Sequence, residues 1–124
     1  MRLLLDTHVL LWWRQDNRRL GRAARTAITS AAVVYVSAAS AWEVAIKSAI
    51  GRLHLGDPFD VHVQEAGFEP LAITFAHAAE LARLPPQHAD PFDRMLVAQA
   101  RLEGLTLVTH DRTFLEYDVR TIMV

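Results

Sequence analysis

The sequence predicts an α/β fold, with a central parallel sheet of about five strands and helices packed on both faces. Short apolar runs alternate with segments of helical spacing along the chain, which is the pattern of strand–helix–strand units. Several of these runs are continuous rather than alternating, as expected of strands covered on both sides. The 124 residues are predicted to form a single domain over 1–124. The order of the strands does not follow from the sequence.

The first two predicted strands lie in the amino-terminal part of the chain. Residues 2–5 form an apolar run that ends at Asp6, and residues 33–36 form a second run rich in valine. β-Branched residues such as valine favour strands. Between these runs we predict a short helix over 9–13, an arginine-rich turn, and a helix of small residues over 21–31.

A long helix is predicted to begin at Ser37 or Ser40 and to end near Ile50, because serine suits a helix start and Gly51 suits a helix end. Its apolar residues recur at helical spacing and form a stripe. The residues of this stripe are Trp42, Ala45, Ile46, Ala49 and Ile50.

Three shorter elements follow. A helix over 59–66 ends at Gly67, and residues 70–73 are predicted to form a third strand. A further helix is predicted over 75–84. Pro85 and the proline after it end this helix, because proline lacks the backbone N–H and restricts the residue before it.

The segment over 88–111 carries the clearest signals. The Asp-Pro pair at 90–91 is typical of a helix start, and Gly104 is typical of a helix end. The continuous apolar run over 105–108 predicts a buried strand, and residues 119–123 predict a last strand at an edge of the sheet.

The composition excludes several classes of protein. No apolar run approaches the roughly 18–20 residues needed to span a bilayer, so we expect no membrane segment. The apolar N-terminus is not expected to be a secretory signal, because Asp6 and His8 interrupt it. The absence of cysteine excludes disulfides and thiolate metal sites, and fits a cytoplasmic location. A net charge of −1 gives no overall attraction to nucleic acid.

Four carboxylates lie where predicted strands end or predicted helices begin: Asp6, Glu43, Asp93 and Asp111. Each has a purely structural explanation. Ser40 and Glu43 match the S-x-x-E capping box, and Asp93 would interact favourably with the dipole of its helix. Asp111 would cap a short helix, and Asp6 would be an ordinary turn residue.

Taken together, the four acids favour a metal site. The ends of the first and fourth strands are expected at one edge of the sheet, where ligands bind in α/β folds. With no lysine nearby in sequence, each pair of carboxylates at about 4 Å costs on the order of 4 kcal/mol at an effective dielectric near 20. Protonation or a cation relieves this repulsion. Oxygen ligands without cysteine suit Mg²⁺ or Mn²⁺, ions that position phosphates and activate water.

Three histidines lie within two residues of an acid, namely His8, His88 and His110. They would direct the site towards zinc or transfer protons. Zinc is the weaker interpretation, because neither H-x-H nor H-E-x-x-H spacing occurs. The remaining histidines are expected at the surface: His54, His62 and His77.

Positive charge is concentrated over 14–25 against the single acid Asp16, and it is almost wholly arginine because Lys47 is the only lysine. Two interpretations stay open: a solvated helix face, or a surface that binds phosphates. The candidates for phosphate binding are Arg18, Arg19, Arg22 and Arg25.

The sequence resembles the PIN-domain ribonucleases and, more narrowly, the toxins of VapC-type toxin–antitoxin pairs. The resemblance runs from residue 3 to about 122 through four motifs in order: DTHVLLWW, SAWEVAIKSAIGRL, HADPFDRMLVAQA and TLVTHD. The family's acidic quartet corresponds to Asp6, Glu43, Asp93 and Asp111. Asp90 lies one turn from Asp93 and would share or replace its role. The segment MLVAQA, which matches the family's pattern after its catalytic acid, favours Asp93.

The resemblance implies a PIN-like three-layer α/β/α nuclease domain that cleaves RNA phosphodiesters with Mg²⁺, or with Mn²⁺. Water would be the nucleophile, without a covalent intermediate. In this interpretation Asp6, Asp93 and Asp111 hold metal, and Glu43 binds metal or orients the water.

The same resemblance implies supporting residues and partners. Thr7 or Thr109 would support the ligands by hydrogen bonding, and the arginines over 18–25 would contact RNA. A cognate antitoxin would block the site, and a homodimer is usual for such proteins.

Two alternatives come from other classes of protein. A phospho-receiver domain shares the α/β alternation and an acidic pocket. It requires paired acids near the first strand and a lysine after the last, whereas Thr7 follows Asp6 and Lys47 lies in another element. A non-catalytic α/β binding module would use all four acids as caps. Thermal stability in millimolar Mg²⁺ or Mn²⁺ separates a metal-binding enzyme from such a module.

Overall fold

A computed structural model describes residues 1–86 and 90–124, and in them five strands form one parallel sheet. The strands are β1 (Arg2–Leu5), β2 (Val33–Ser37), β3 (Glu69–Leu71), β4 (Thr106–Thr109) and β5 (Thr121–Met123). Their order across the sheet is β3-β2-β1-β4-β5, and every neighbouring pair is parallel. The predicted parallel α/β architecture is confirmed.

Six α-helices flank this sheet in the described parts of the chain. They are α1 (Thr7–Arg14), α2 (Gly21–Ser30), α3 (Ala38–Ala49), α4 (Phe59–Glu65), α5 (Phe75–Leu81) and α6 (Pro91–Glu103). Two short 3-10 helices lie at Arg18–Leu20 and Arg112–Glu116. None of the helices so described has the length and apolar character needed to cross a membrane.

The sheet separates two apolar cores, because successive side chains of a strand point to opposite faces. In β1, Leu3 and Leu5 belong to one core and Leu4 to the other, and all three are fully buried. The first core also contains residues from α1, α2 and α4: Val9, Leu10, Ala24, Ile28 and Val63. The second contains residues from α3 and α6: Ala39, Met95, Leu96, Val97, Ala98 and Ala100. Helices therefore cover both faces, which confirms the three-layer α/β/α arrangement.

The pairing of β1 with β4 sets the position of the site. Leu3 pairs with Thr106 and Leu5 with Val108. The backbone N–H of Asp6 continues this ladder by donating to the carbonyl oxygen of Val108 at 2.9 Å. The residues that follow β1 and β4 consequently leave the sheet side by side at the same edge.

Both predicted ends of α6 are confirmed. Asp90 precedes the helix, and its Oδ1 accepts hydrogen bonds from the backbone N–H groups of Phe92 at 2.9 Å and Asp93 at 3.1 Å. Pro91 occupies the start, where its missing N–H is not needed. Gly104 ends the helix at φ 66° and ψ 38°, the left-handed conformation that glycine adopts readily.

The start of α3 differs from the capping box that the sequence suggests. Ser37 caps the helix, and its Oγ accepts a hydrogen bond of 2.9 Å from the backbone N–H of Ala39. Ser40 therefore lies inside the helix, and the interpretation of Ser40 and Glu43 as a capping box is wrong.

The apolar stripe of α3 does not enter the core. The helix instead buries the face that contains Ala39, Ser40, Glu43 and Val44. The exposed fractions of Trp42, Ile46 and Ile50 are 59%, 43% and 61%. Trp42, Ile46 and Ile50 form an exposed apolar ridge, the α3 ridge.

Three predicted elements are clearly shorter than expected. The last strand, expected over 119–123, spans Thr121–Met123. The strand expected over 70–73 spans Glu69–Leu71, because β2 ends at Ser37, the partner of Leu71, and offers no residues to pair with 72–73. Its proline lies in an edge strand, where the missing N–H is tolerated. The helix expected over 75–84 ends at Leu81, and residues 82–84 continue as tighter turns with i to i−3 hydrogen bonds.

His77 is buried, with 2% exposed, so its expected surface location is wrong. Its Nδ1 accepts a hydrogen bond of 3.1 Å from the backbone N–H of Thr74 and lies 3.4 Å from Nε2 of Gln99. Its Nε2 lies 3.6 Å from Oε1 of Glu103. The contacts with Gln99 and Glu103 join α5 to α6 inside the protein, and the local sequence does not reveal them.

Candidate active site

The carboxylate of Asp6 lies directly after β1, with 4% of the residue exposed. Its Oδ2 accepts a hydrogen bond of 2.7 Å from the hydroxyl of Thr109, the last residue of β4. Its Oδ1 accepts a longer hydrogen bond of 3.4 Å from the backbone N–H of His8, in the first turn of α1. Two strands and the start of a helix thus fix Asp6 at the edge of the sheet where α/β proteins bind ligands.

Burial changes the acidity of Asp6. Removal from water disfavours the ionised carboxylate and raises the pKa of Asp6 above its usual value. The hydrogen bond from Thr109 and the imidazoles of His8 and His110 oppose this rise without cancelling it. Within the described residues the ion-pair contact of Asp6 is with His110, whose Nδ1 lies 3.8 Å from Oδ2. A nearby divalent cation would stabilise such a buried negative charge, as expected for a metal ligand.

Glu43 on α3 is held by side chains from two helices. Its Oε1 lies 2.9 Å from the hydroxyl oxygen of Thr7, which also lies 2.8 Å from that of Ser40. Its Oε2 forms an ion pair of 2.9 Å with Nζ of Lys47, one turn further along α3. The expectation that no lysine lies near the acids is therefore wrong for Glu43, whose charge is balanced within its own helix.

Asp111 follows β4 and caps the short helix over 112–116, as its structural explanation anticipates. Its Oδ1 accepts hydrogen bonds from the backbone N–H of Thr113 at 2.9 Å and from the Thr113 hydroxyl at 2.8 Å. Its own backbone N–H donates to Oγ1 of Thr109 at 3.0 Å. Because the same hydroxyl donates to Asp6, Thr109 connects Asp6 with the backbone of Asp111.

Asp90 and Asp93 have different local roles. Asp90 is the N-cap of α6, whereas Asp93 lies half-buried in the first turn, where its charge interacts favourably with the helix dipole. The ring of Phe92 packs against Trp42 on α3, with centroids 5.0 Å apart. The first turn of α6 therefore lies beside the helix that carries Glu43. Both aspartates therefore lie at the start of α6, beside that helix.

The four acids lie on or just after elements that contact one another, β1 with β4 and α3 with α6. Among the residues that the structure describes, Glu43, Asp93 and Asp111 do not join Asp6 in a group whose ligand atoms all lie within 4.8 Å. Mg²⁺ commonly keeps several water molecules and binds through one or two carboxylates, so it does not need all four acids as direct ligands. These oxygen donors fit a hydrated divalent cation.

Two of the three histidines near acids lie beside Asp6. One potential ligand atom from each of Asp6, His8 and His110 lies within 4.8 Å of the others. Both imidazoles are on exposed residues, whereas the carboxylate is buried. His88, the third histidine, lies outside the described residues.

In the arginine-rich segment, some side chains contact other residues of this chain and others are exposed. Arg25 pairs with Asp16 at 3.0 Å and lies over the ring of Trp13, 5.9 Å from its centroid. Arg19 lies over Trp12 at 5.8 Å. Its side chain is therefore near the site, because Trp12 also packs against His110 with centroids 4.8 Å apart. Arg18 and Arg22 are exposed.

The comparisons with known proteins agree with this architecture. The sequence model of the PIN domain matches residues 3–120. The chain belongs to the PIN-domain family, and the resemblance described in the sequence is confirmed.

One relative is Ribonuclease VapC22 of Mycobacterium tuberculosis, 36% identical over 113 residues, a match covering 89% of this chain and 87% of the relative. Among solved structures, VapBC2 of Rickettsia felis bound to a promoter DNA fragment has a TM-score of 0.74 at 11% identity, covering 100% of this chain and 99% of the other. VapBC of Salmonella typhimurium bound to DNA has a TM-score of 0.69 at 21% identity, covering 99% and 98%. These two structures share the fold of this chain.

Two contacts beside Glu43 were not predicted from the sequence: its ion pair with Lys47, and the hydrogen bond between Ser40 and Thr7, the partner of Glu43. Lys47 follows Glu43 by four residues, a spacing that places two side chains on the same side of a helix and that could have revealed the ion pair. Ser40 reaches Thr7 across 33 positions of sequence, and no local pattern signals that contact.

Proposed function

We propose that this chain is a metal-dependent endoribonuclease, the toxin of a toxin–antitoxin pair, which hydrolyses RNA phosphodiester bonds with water as the nucleophile. Its membership in the PIN-domain family and its 36% identity to Ribonuclease VapC22 support this function. The observation that carries it is the buried carboxylate of Asp6 at the edge of the sheet, connected through Thr109 to Asp111.

We assign metal binding to Asp6, Asp93 and Asp111, with Mg²⁺ as the ion and Mn²⁺ as a substitute. A bound divalent cation of this kind lowers the pKa of a coordinated water and balances the charge of the phosphate. The family's acidic quartet also includes Glu43, whose alternatives are metal binding and orientation of the water. Its contacts with Thr7 and Lys47 favour orientation, because both carboxylate oxygens are already engaged by this chain.

Thr7 and Thr109 are the proposed supporting residues. Each hydroxyl lies within hydrogen-bond distance of an acid, Thr109 of Asp6 at 2.7 Å and Thr7 of Glu43 at 2.9 Å. A donated hydrogen bond limits rotation of the carboxylate and leaves its other lone pairs available. This chain's contribution to the reaction is therefore to hold its acids in fixed orientations before substrate arrives.

RNA is the proposed substrate, bound in part through the arginine segment. Arg18 and Arg22 are exposed and Arg19 lies near the site through Trp12, so these three are the stronger candidates for phosphate contacts. Arg25 is the weaker candidate, because Asp16 and the ring of Trp13 already engage it.

The α3 ridge supports one of the two proposed protein partners, a second copy of this chain. Trp42, Ile46 and Ile50 follow each other at intervals of four residues and are all largely exposed. A contiguous exposed apolar surface of this kind commonly marks a protein interface. We therefore place the homodimer contact at this ridge, and expect the antitoxin to cover the acidic site.

Cleavage is tested by brief expression in cells followed by sequencing of the 5′ ends of cellular RNA, because this measurement detects cleavage in any transcript. We expect new 5′ ends with the parent protein and none with Asp93→Asn. Asn is nearly isosteric with Asp, so packing is kept while a metal ligand is weakened. Asp90→Asn is the matched control, because Asn caps a helix about as well as Asp, and it should produce the same ends as the parent.

Metal dependence is tested with the purified protein and an RNA containing a cleavage site found in this way. Cleavage should occur with Mn²⁺ and stop with EDTA. Identical 5′ ends from parent and Asp93→Asn would refute the assignment of Asp93, and equal cleavage with Mn²⁺ and EDTA would refute the metal mechanism.

A further inference from the structure

Two histidines approach Asp6 at the edge of the sheet, although the acidic quartet does not include them. Potential ligand atoms of Asp6, His8 and His110 lie within 4.8 Å of one another, and Nδ1 of His110 lies 3.8 Å from Oδ2 of Asp6. The proximity of His8 to Asp6 is local, because His8 follows Asp6 by two residues at the start of α1. His110 arrives from the other end of the chain, directly after β4.

Packing of the rings limits their orientations. The imidazoles of His8 and His110 meet edge to face, with centroids 5.1 Å apart and planes inclined by 71°. Trp12 packs against His110 at 4.8 Å and lies 6.4 Å from His8. Trp12 is itself half-buried against the first core. Trp12 therefore packs against one imidazole and lies near the other, while both histidines remain exposed to solvent.

The donor set differs from that of the acidic quartet. Two imidazole nitrogens and one carboxylate oxygen suit zinc and its neighbours in the transition series, whereas Mg²⁺ prefers oxygen ligands alone. Zinc sites with three protein ligands and an open fourth position are common. Bonds of about 2.1 Å in a tetrahedral site place ligand atoms about 3.4 Å apart. The 3.8 Å between Nδ1 of His110 and Oδ2 of Asp6 is close to that spacing.

We propose that Asp6, His8 and His110 form a binding site for a transition-metal ion of the zinc type, separate in its donor set from the acidic quartet. Asp6 belongs to both sets, so a zinc ion held by the histidines withdraws this carboxylate from the quartet. Zinc then acts as an inhibitor of cleavage supported by Mn²⁺; this consequence rests on the proposed nuclease function, whereas zinc binding itself does not.

The first experiment measures zinc binding without RNA. Protein free of any histidine tag is stripped with EDTA, dialysed, and titrated with Zn²⁺ by isothermal calorimetry. The parent should show one saturable site. His8→Gln and His110→Gln should each weaken it at least about tenfold, since loss of even an outer partner of a metal-bound histidine costs that much. His54→Gln is the matched control, because His54 is exposed and outside the group, and it should bind like the parent.

Folding and geometry need separate measurements. Circular dichroism of each variant shows whether the exposed substitutions leave the fold intact. Co²⁺ added in place of Zn²⁺ reports the geometry, because a four-coordinate cobalt site with nitrogen ligands absorbs visible light far more strongly than hydrated cobalt. We expect this absorption in the parent and its loss in His110→Gln. A parent without saturable zinc binding, or folded His8→Gln and His110→Gln that bind zinc like the parent, would overturn the site.

The second experiment tests the consequence for cleavage. Zn²⁺ is added at a fixed Mn²⁺ concentration, and the cleavage rate is compared between the parent and His54→Gln, which should be inhibited alike at the zinc concentrations that saturate the calorimetric site. If zinc saturates the calorimetric site without slowing cleavage, the proposal that Asp6 belongs to both the zinc site and the acidic quartet is refuted. An absence of cleavage with Mn²⁺ alone would instead refute the proposed function and leave the calorimetric result intact.

Discussion

At the scale of single residues, helix capping and the proposed metal binding fall on the same acids. Asp6 and Asp111 each accept a backbone hydrogen bond at the start of a helix, and both are among the proposed metal ligands. The two roles are compatible, because a carboxylate has about four lone-pair positions and a cap uses one or two of them. A cap also fixes the direction of the carboxylate. The structural explanation of such an acid therefore does not argue against a functional one.

The pKa of Asp6 yields a prediction about stability. Because burial raises this pKa above its unfolded value, the protonated carboxyl favours the folded state at low pH, and this contribution is lost as the pH rises through the folded pKa. Asp6→Asn removes the buried charge and keeps an acceptor for Thr109. We expect the metal-free variant to have a higher free energy of unfolding than the parent at neutral pH, and the difference to shrink as the pH falls towards about 4.

Urea denaturation in EDTA over a pH series measures this difference. His8 and His110 face the carboxylate, so parent and variant are compared at the same pH throughout. Asp57→Asn, at an exposed position, is the control and should follow the parent. A difference between Asp6→Asn and the parent that does not vary with pH would contradict the prediction.

At the scale of elements, the predictable parts are those whose signals lie within a few residues. The start and end of α6 follow from the Asp-Pro pair at 90–91 and from Gly104, and the buried strand after it follows from a continuous apolar run. The end of β3 was not predictable, since it depends on where β2 stops pairing. The burial of His77 was not predictable for the same reason, because it depends on the packing of α6 against α5.

The end of α6 gives a second prediction. Gly104 has a φ of 66°, and a methyl group at this position would meet no atom within 4 Å. Gly104→Ala therefore creates only backbone strain, and should lower the free energy of unfolding by about 1–2 kcal/mol. Gly104→Asn should lower the free energy of unfolding by less than Gly104→Ala, because asparagine adopts the left-handed conformation more readily than alanine. Equal urea midpoints for Gly104→Ala and the parent would contradict this account of the helix end.

The arginine-rich segment from the end of α1 to the first turn of α2 gives a prediction about RNA. If Arg18 and Arg22 contact phosphates, the affinity for single-stranded RNA falls with salt, and the log–log slope flattens by about 0.7 for each contact removed. Arg18→Gln and Arg22→Gln, made in the cleavage-deficient Asp93→Asn background, should show this flattening. Arg120→Gln, an exposed arginine elsewhere, should not. Slopes unchanged in the first two variants would assign those arginines to ordinary surface.

At the scale of the whole molecule, the sheet places β1 at its centre and the exposed apolar residues of α3 outside both cores. The sequence predicts the three layers, because few architectures other than a covered parallel sheet are compatible with alternating strands and helices and with continuous apolar runs. It does not predict the strand order, which depends on long-range pairing. Nor does it predict the exposure of the α3 ridge, because a helical stripe of apolar residues has the same pattern whether it faces a core or a partner.

The α3 ridge supplies the last prediction. Ile46→Ser with Ile50→Ser should weaken dimerisation at least about tenfold, since burying one isoleucine side chain contributes about 1.5–3 kcal/mol. The melting temperature of the monomer should change little, because both residues are exposed. Leu102→Ser with Leu115→Ser is the matched control, with exposed fractions of 45% and 47% outside the ridge. Light scattering over a concentration series measures the mass; equal masses for both double variants would reject the ridge as the contact.

The hydrogen bond between Thr109 and Asp6 joins residues 103 positions apart. A ribosome that adds about 5–20 residues per second needs roughly 5–20 s to travel from one to the other. During that interval the nascent chain carries Asp6, and later Glu43, without β4, whose pairing with β1 brings Thr109 to Asp6. The site is therefore a late product of synthesis. An unfinished chain released before β4 lacks Asp111 and the Thr109 hydroxyl that orients Asp6. Only chains that extend past β4 therefore contain the assembled site.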